Sequence, residues 1–229
     1  MVENQPETVW HNFGTYVTCW MPPLDRDMPA ELADKFVELM EVWARHISRN
    51  VLRDTYFEGR NALKDFGIST PPELLDVETV VDWPNKAVTA LADRVRFDGF
   101  TATDSDVQSR LDAMCRRTSF MQRTRTAATS QGIYGVHFAT VGVDERGNAR
   151  IDYHPATAAS ALYDRAKGRI AYGMVIDEFE DGMPVSCRVF DDDAVHTLWN
   201  DGAYWRWSTT PISMGRVTME AFSYRPTER

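Results

Sequence analysis

Three consecutive aspartates, Asp191, Asp192 and Asp193, followed closely by His196, form the most chemically suggestive run in the sequence. Carboxylates beside an imidazole are the donor types that a divalent cation takes. The same run also reads as a solvated turn between strands, because no nearby motif supplies the outer partners that orient metal ligands. A second concentration is basic. Arg110, Arg116, Arg117, Arg123 and Arg125 fall within 16 residues. Their planar guanidinium groups suit bidentate anions, either DNA phosphates or acidic side chains of an adjacent subunit. A solvated helical face is the plainer reading of such a run.

Other chemistry finds little support. No G-x-x-x-x-G-K-[ST] run and no GxGxxG after a strand is present, so no loop is recognisable as a phosphate cradle. GxSxG and HExxH are missing too. His11, His46, His137, His154 and His196 show no ligand spacing, and Cys19, Cys115 and Cys187 form no CxxC pair. No catalytic, cofactor-binding or metal residue is assigned on these grounds. The chain is expected not to be an enzyme and to carry no cofactor.

The bulk properties set the frame for these residues. A chain of 229 residues that is 43% hydrophobic and 26% charged has the composition of a globular protein. At this size folding buries about 70% of the unfolded surface, so no disulfide or metal is needed to hold it. The net charge of −9 makes it a poor candidate for wrapping DNA. It suits a surface that DNA slides past, or simply solubility. No apolar stretch approaches the ~20 residues of a membrane span, and the opening MVENQPE is not a secretory signal.

The elements that position these residues divide near residue 132. Residues 1–28 read as an irregular arm carrying Trp10, Phe13, Tyr16 and Trp20, which packs on this protein or on a neighbour. Residues 29–132 are mainly helical. From Pro29 to about Asn50, Leu32, Phe36, Leu39, Met40, Trp43 and Ile47 recur at spacings of three and four and make one apolar stripe. Gly59 should break regular structure and Pro71-Pro72 should form a loop. Asp82 is placed to cap a helix that Pro84 begins, with Val88, Leu91 and Val95 as its buried face and Gly99 beyond its end. Asp104 or Ser105 caps the next helix, with face Val107, Leu111 and Met114. A further helix runs from about Ser119 to Gln131, and Gly132 closes it.

Residues 133–229 alternate between strands and turns. Strands at 133–143 and 149–153 flank a turn at Asp144–Asn148. A turn at Tyr163–Gly168 follows. Hairpins then turn at Glu180-Asp-Gly182 and at Asn200-Asp-Gly202, and Val217–Phe222 is a last strand. Helices followed by antiparallel hairpins predict an α+β fold with a meander-like sheet. Trp43, Leu91, Leu111 and Phe138 are expected in the core. Gly99 and Gly135 are expected at chain reversals.

Several short runs occur in a recognisable order. They are Tyr56-Phe-Glu-Gly59, Phe66-Gly-Ile68, Pro71-Pro-Glu-Leu74, Val80-Val-Asp-Trp-Pro84 and Phe97-Asp-Gly-Phe100. Ile133-Tyr-Gly135, Val141-Gly142, Gly147, His154-Pro155, Tyr163-Asp164 and Gly168 follow. Over about residues 50–170 this order resembles the N-terminal region of the portal proteins of long-tailed phages. The resemblance implies a structural ring subunit, commonly a dodecamer, at one capsid vertex. It implies terminase, capsid or scaffold proteins and head-tail connector proteins as partners, with double-stranded DNA passing the ring without sequence specificity. It places the protein in the virion, and in the host cytoplasm during assembly. Members of that family continue, beyond the point matching Arg225-Pro226, into stem, clip and channel loop. The chain is therefore expected to correspond to the outer wing of such a subunit, as a fragment, a split gene or a truncated remnant. Two other readings stand beside it: a small cytoplasmic metal- or ligand-binding enzyme using Asp191–Asp193 and His196, and an inactive prophage remnant.

Overall fold

The structure, a computed structural model, describes residues 8–12, 15–19, 21–59, 82–144 and 146–223. The Pro71-Pro72 loop, the runs at 66–68 and 71–74, and the side chains of the aromatic arm lie outside the described residues. The expected irregular arm contains a hairpin, β1 (Thr8–Asn12) paired antiparallel with β2 (Thr15–Cys19).

Helix α1 spans Ala30–Phe57. Pro29 precedes it with φ −54°, a value its ring imposes and the helix continues, and Glu31 sits in the first turn near the positive end of the dipole. Leu32, Phe36, Leu39, Met40 and Trp43 are buried as one stripe, and Ile47 packs beside them. The helix outlasts the stripe, which predicted an end near Asn50. Val51 and Leu52 are exposed. Polar anchors hold this second half instead. Asn50 donates to the Ala156 carbonyl (3.1 Å), Arg53 to the Tyr134 carbonyl (2.6 Å), and the Tyr134 hydroxyl to Asp54 (2.8 Å). No helix-breaking residue intervenes before Gly59, which takes a left-handed φ of 70°.

Helix α2 spans Trp83–Ala92. Asp82 does precede it and Pro84 lies in its first turn, but the Asp82 side chain makes no capping bond. Its expected buried face needs correction. Leu91 is 69% exposed and Val95 lies beyond the helix end, 49% exposed. The helix contacts its neighbour through Val88 and the buried Ala92 instead. Helix α3 spans Ser105–Arg117, and Asp104 caps it by accepting from the N–H groups of Asp106 and Val107. It buries no residue fully. Val107 is exposed, and Leu111, expected in the core, is half-buried. Helix α4 spans Phe120–Tyr134 and runs straight through Gly132 to a left-handed Gly135. Gly132 is there for closeness and not for termination: a Cβ on it would lie 2.8 Å from a methyl of Val88. None of these helices is long and apolar enough to cross a membrane.

The strand expected at 133–143 starts after α4, at Val136. It is β3 (Val136–Val143), and it pairs with β4 (Ala149–Pro155) across the Asp144–Asn148 turn. Then come β5 (Ala159–Asp164), β6 (Arg169–Glu180), β7 (Met183–Phe190), β8 (Ala194–Asn200), β9 (Trp205–Pro211) and β10 (Met219–Ser223). Strands β5 to β9 form a five-stranded meander in sequence order, while β10 pairs with β3 in a separate sheet ordered β10-β3-β4. The fold is α+β, as the segregation of helices and hairpins predicted. At the β6–β7 turn Asp181 and Gly182 both take positive φ, the pattern whose twist matches a two-residue hairpin. The β8–β9 loop is longer than expected, because Asp201 accepts from the N–H groups of Ala203 and Tyr204 and holds them out of the strand.

Period-two alternation gives the meander two apolar faces. Met174, Ile176, Cys187, Val189, Leu198 and Trp205 meet the stripe of α1. Val175 and Phe190 join Phe138, Tyr134 and Met219 in a second core beside the three-stranded sheet. Gly173 of β6 belongs to this contact. A Cβ there would come within 2.4 Å of the Met219 sulfur and 3.4 Å of both the Ala161 Cβ and the Ser160 carbonyl oxygen. Gly173→Ala is expected to cost about 1–3 kcal/mol by overpacking. A urea-unfolding midpoint equal to that of the parent would refute this.

Candidate functional site

The five arginines do not act together. Arg110 and Arg116 stand exposed on α3, and Arg125 pairs with Asp93. Arg117 and Arg123 both reach β4. Arg117 Nη2 donates to the Ala149 carbonyl at 2.8 Å, and Arg123 Nη1 to the Ile151 carbonyl at 3.3 Å. The register explains this choice. β4 is an edge strand, and in an antiparallel ladder alternate residues turn their peptide groups away from the partner strand. Two arginine side chains thus occupy acceptors that an open edge would offer to another chain.

A third arginine, Arg150 of β4, completes the group. It lies on a strand well away from the helical run, so spacing alone does not group it with the others. Its Nε donates to Asp152 at 2.8 Å, and Arg123 reaches the same carboxylate at 3.7 Å. Between the α3–α4 turn and β4 lies an open cleft of about 240 Å³, lined chiefly by Arg117, Thr118, Arg123, Asp144, Arg150 and Asp152. The Asp144 carboxyl is held below its ordinary range, first by the Asn148 side chain and backbone, then by the Arg146 N–H and the charge of Arg117.

The aspartate run is also drawn apart. Asp191 Oδ2 accepts from Lys35 Nζ of α1 (3.2 Å) and lies 3.1 Å from His196 Nε2, while its Oδ1 accepts from the N–H groups of Asp193 and Ala194. Burial alone would raise the Asp191 pKa. His196, those two N–H groups and Lys35 outweigh it and bring it below the ordinary value. Asp192 accepts from the Val217 N–H (3.1 Å) and faces Arg169 (3.4 Å), and Asp193 is exposed. Among the described residues, no three His, Cys, Asp or Glu side chains are placed to share an ion. What the run does is tie the β7–β8 turn to α1 and to the segment leading into β10.

His137 of β3 is the buried titratable group that spacing did not mark out. It is 3% exposed, its Nδ1 lies 2.8 Å from Ser130 Oγ of α4, and its ring stacks on Tyr153. Its Nε2 has no partner. Behind it His154 Nε2 bonds Thr140 at 2.9 Å. Cys115 and Cys187 are free thiols, and burial pushes the Cys187 thiol up, away from the reactive thiolate. Compared with known proteins, the chain matches no protein-family model and no curated protein.

Proposed function

We propose that this chain is the wing portion of a portal-type ring subunit, a structural protein and not an enzyme. The observation that carries the reading is the order of short runs over residues 50–170. The α+β architecture is compatible with it. So is a set of large apolar side chains left in the open on neighbouring helices: Trp83 at 80% exposure, Leu91, Val107 and Met121. Exposed apolar groups on neighbouring helices are compatible with contact to another chain. In this reading Arg110 and Arg116 are available to acidic groups of an adjacent subunit or to DNA, while Arg117 and Arg123 each give one bond to the edge of β4 and keep further donors. Terminase, capsid and connector proteins would be the complete ring's partners, at the capsid vertex. The aspartate run gives no support to the metal-dependent alternative, because Asp191 is held by Lys35.

Light scattering and electron microscopy of the full gene product, with any sequence that follows Arg229 in the gene, test the proposal. A closed ring is expected. The 229-residue chain alone is expected to remain a monomer, since the family's ring contacts lie largely in the stem. A full product that stays strictly monomeric and binds one divalent ion per chain at Asp191–Asp193 overturns it.

A further inference from the structure

We propose that the cleft between the α3–α4 turn and β4 is a binding site for a phosphate group. This does not rest on the portal reading. Three guanidinium groups, those of Arg117, Arg123 and Arg150, line it against two carboxylates, Asp144 and Asp152. Those carboxylates are already engaged. Asp144 Oδ1 accepts from the N–H groups of Arg146 (2.9 Å) and Asn148 (2.8 Å), and both its oxygens accept from Asn148 Nδ2. Asp152 is shared between Arg123 and Arg150. Arg117 spends its hydrogen bond on a neutral carbonyl. Among the described residues that line the cleft, three positive charges stand against two negative ones, on a chain whose net charge is −9.

Each guanidinium carries five N–H donors in a fixed plane, so one or two bonds leave donors for a ligand. A carboxylate ligand is satisfied by a single bidentate arginine. Guanidinium groups contributed from α3, α4 and β4 match the several terminal oxygens and double charge of a phosphate monoester better. The open space of about 240 Å³ has room for a phosphate and the start of its ester. The cleft is open to solvent, so the rest of a ligand can extend outward. Such a phosphate can belong to a small molecule or to a nucleic-acid backbone.

Calorimetric titration of the chain at low salt with inorganic pyrophosphate, with succinate and with a short DNA duplex tests this. Pyrophosphate is expected to bind at one site per chain. Arg150→Gln and Arg117→Gln are each expected to weaken it about tenfold, the loss of one charge-assisted bond. Arg216→Gln, in the exposed pair with Glu220 and not among the residues that line the cleft, is expected to leave it unchanged. Arg150 is 61% exposed, so its variant should unfold at the parent's midpoint even if Arg117→Gln disturbs the β4 edge. Duplex binding displaced by pyrophosphate assigns the phosphate to nucleic acid, and pyrophosphate binding alone assigns it to a small molecule. The proposal fails if neither binds, if succinate binds as tightly as pyrophosphate, or if Arg216→Gln weakens binding as much as Arg150→Gln.

Discussion

Phe36→Ala is expected to destabilise the protein by about 3–5 kcal/mol, the range for truncating a fully buried phenylalanine. Phe36 is 0% exposed and sits mid-stripe on α1, with its ring centroid 5.0 Å from that of Trp205 in an edge-on arrangement. That pair ties the first helix to the last strand of the meander. The site has little freedom to collapse around the hole, because β9 is held by β8 on one side and by the Pro23–Asp25 segment on the other. Trp205 N–H donates to the Pro23 carbonyl at 2.9 Å, and the Asp25 N–H to the Trp205 carbonyl at 3.1 Å. Since domains are commonly stable by only about 5–15 kcal/mol, this is a large share of the total. Urea denaturation followed by tryptophan fluorescence checks it. A loss below about 1 kcal/mol would mean that α1 is not clamped to the sheet in solution.

Acidification supplies the second large effect. Burial, then the nearby His154, pushes the His137 pKa down from 6.5 to about 4. Burial likewise lowers His154. The folded state therefore holds His137 neutral where the unfolded chain already binds a proton. Above pH 6.5 both states are neutral and stability is complete. Between pH 6.5 and about 4 stability falls, and below that the loss levels off. At about 1.4 kcal/mol per pH unit, this single histidine removes about 3 kcal/mol across the window. Free energies of unfolding measured at pH 7 and pH 4.5 should show that drop. In His137→Asn, whose amide can keep the bond to Ser130, the slope over the same window should shrink by most of this amount. Equal slopes in parent and variant would show that His137 is not the group responsible. Carboxylates enter only the lower end of the window: those with altered values, Asp25, Asp144, Asp164, Asp191 and Asp201, are all shifted downward, so the stability they give is lost as pH falls below about 5, equally in parent and variant.

Much of this protein is written locally. The stripe from Leu32 to Trp43 repeats at helical spacing, and a face that continuous has to be buried somewhere, so α1 and its core side chains were legible. The hairpins were legible for the same reason: Asp181-Gly182 and Gly147 supply positive φ at the places where the chain must reverse. Asp104 capped its helix because a cap acts only on the next three residues. The ordered runs that suggest a portal-type subunit are likewise a property of the sequence.

What required the tertiary structure is whatever depends on partners distant in the chain. Leu91 and Val107 have helical spacing but stay exposed, with nothing among the described residues to cover them, whereas Gly132, which looks like a stop signal, lets Val88 of another helix approach. β10 could not be assigned to β3 from its own residues, so one expected meander became two sheets. The candidate chemistry was redistributed in the same way. Lys35, 156 residues away in sequence, claims Asp191 and draws the aspartate run into the scaffold. The basic run was legible as a concentration of charge, but its partners were not. Only the packing of the α3–α4 turn against β4 sorts Arg117 and Arg123 from the rest and adds Arg150. Periodicity and capping act over a few residues and leave marks in the sequence. Pairing across more than a hundred residues is decided by which surfaces fit, and no local pattern carries that choice.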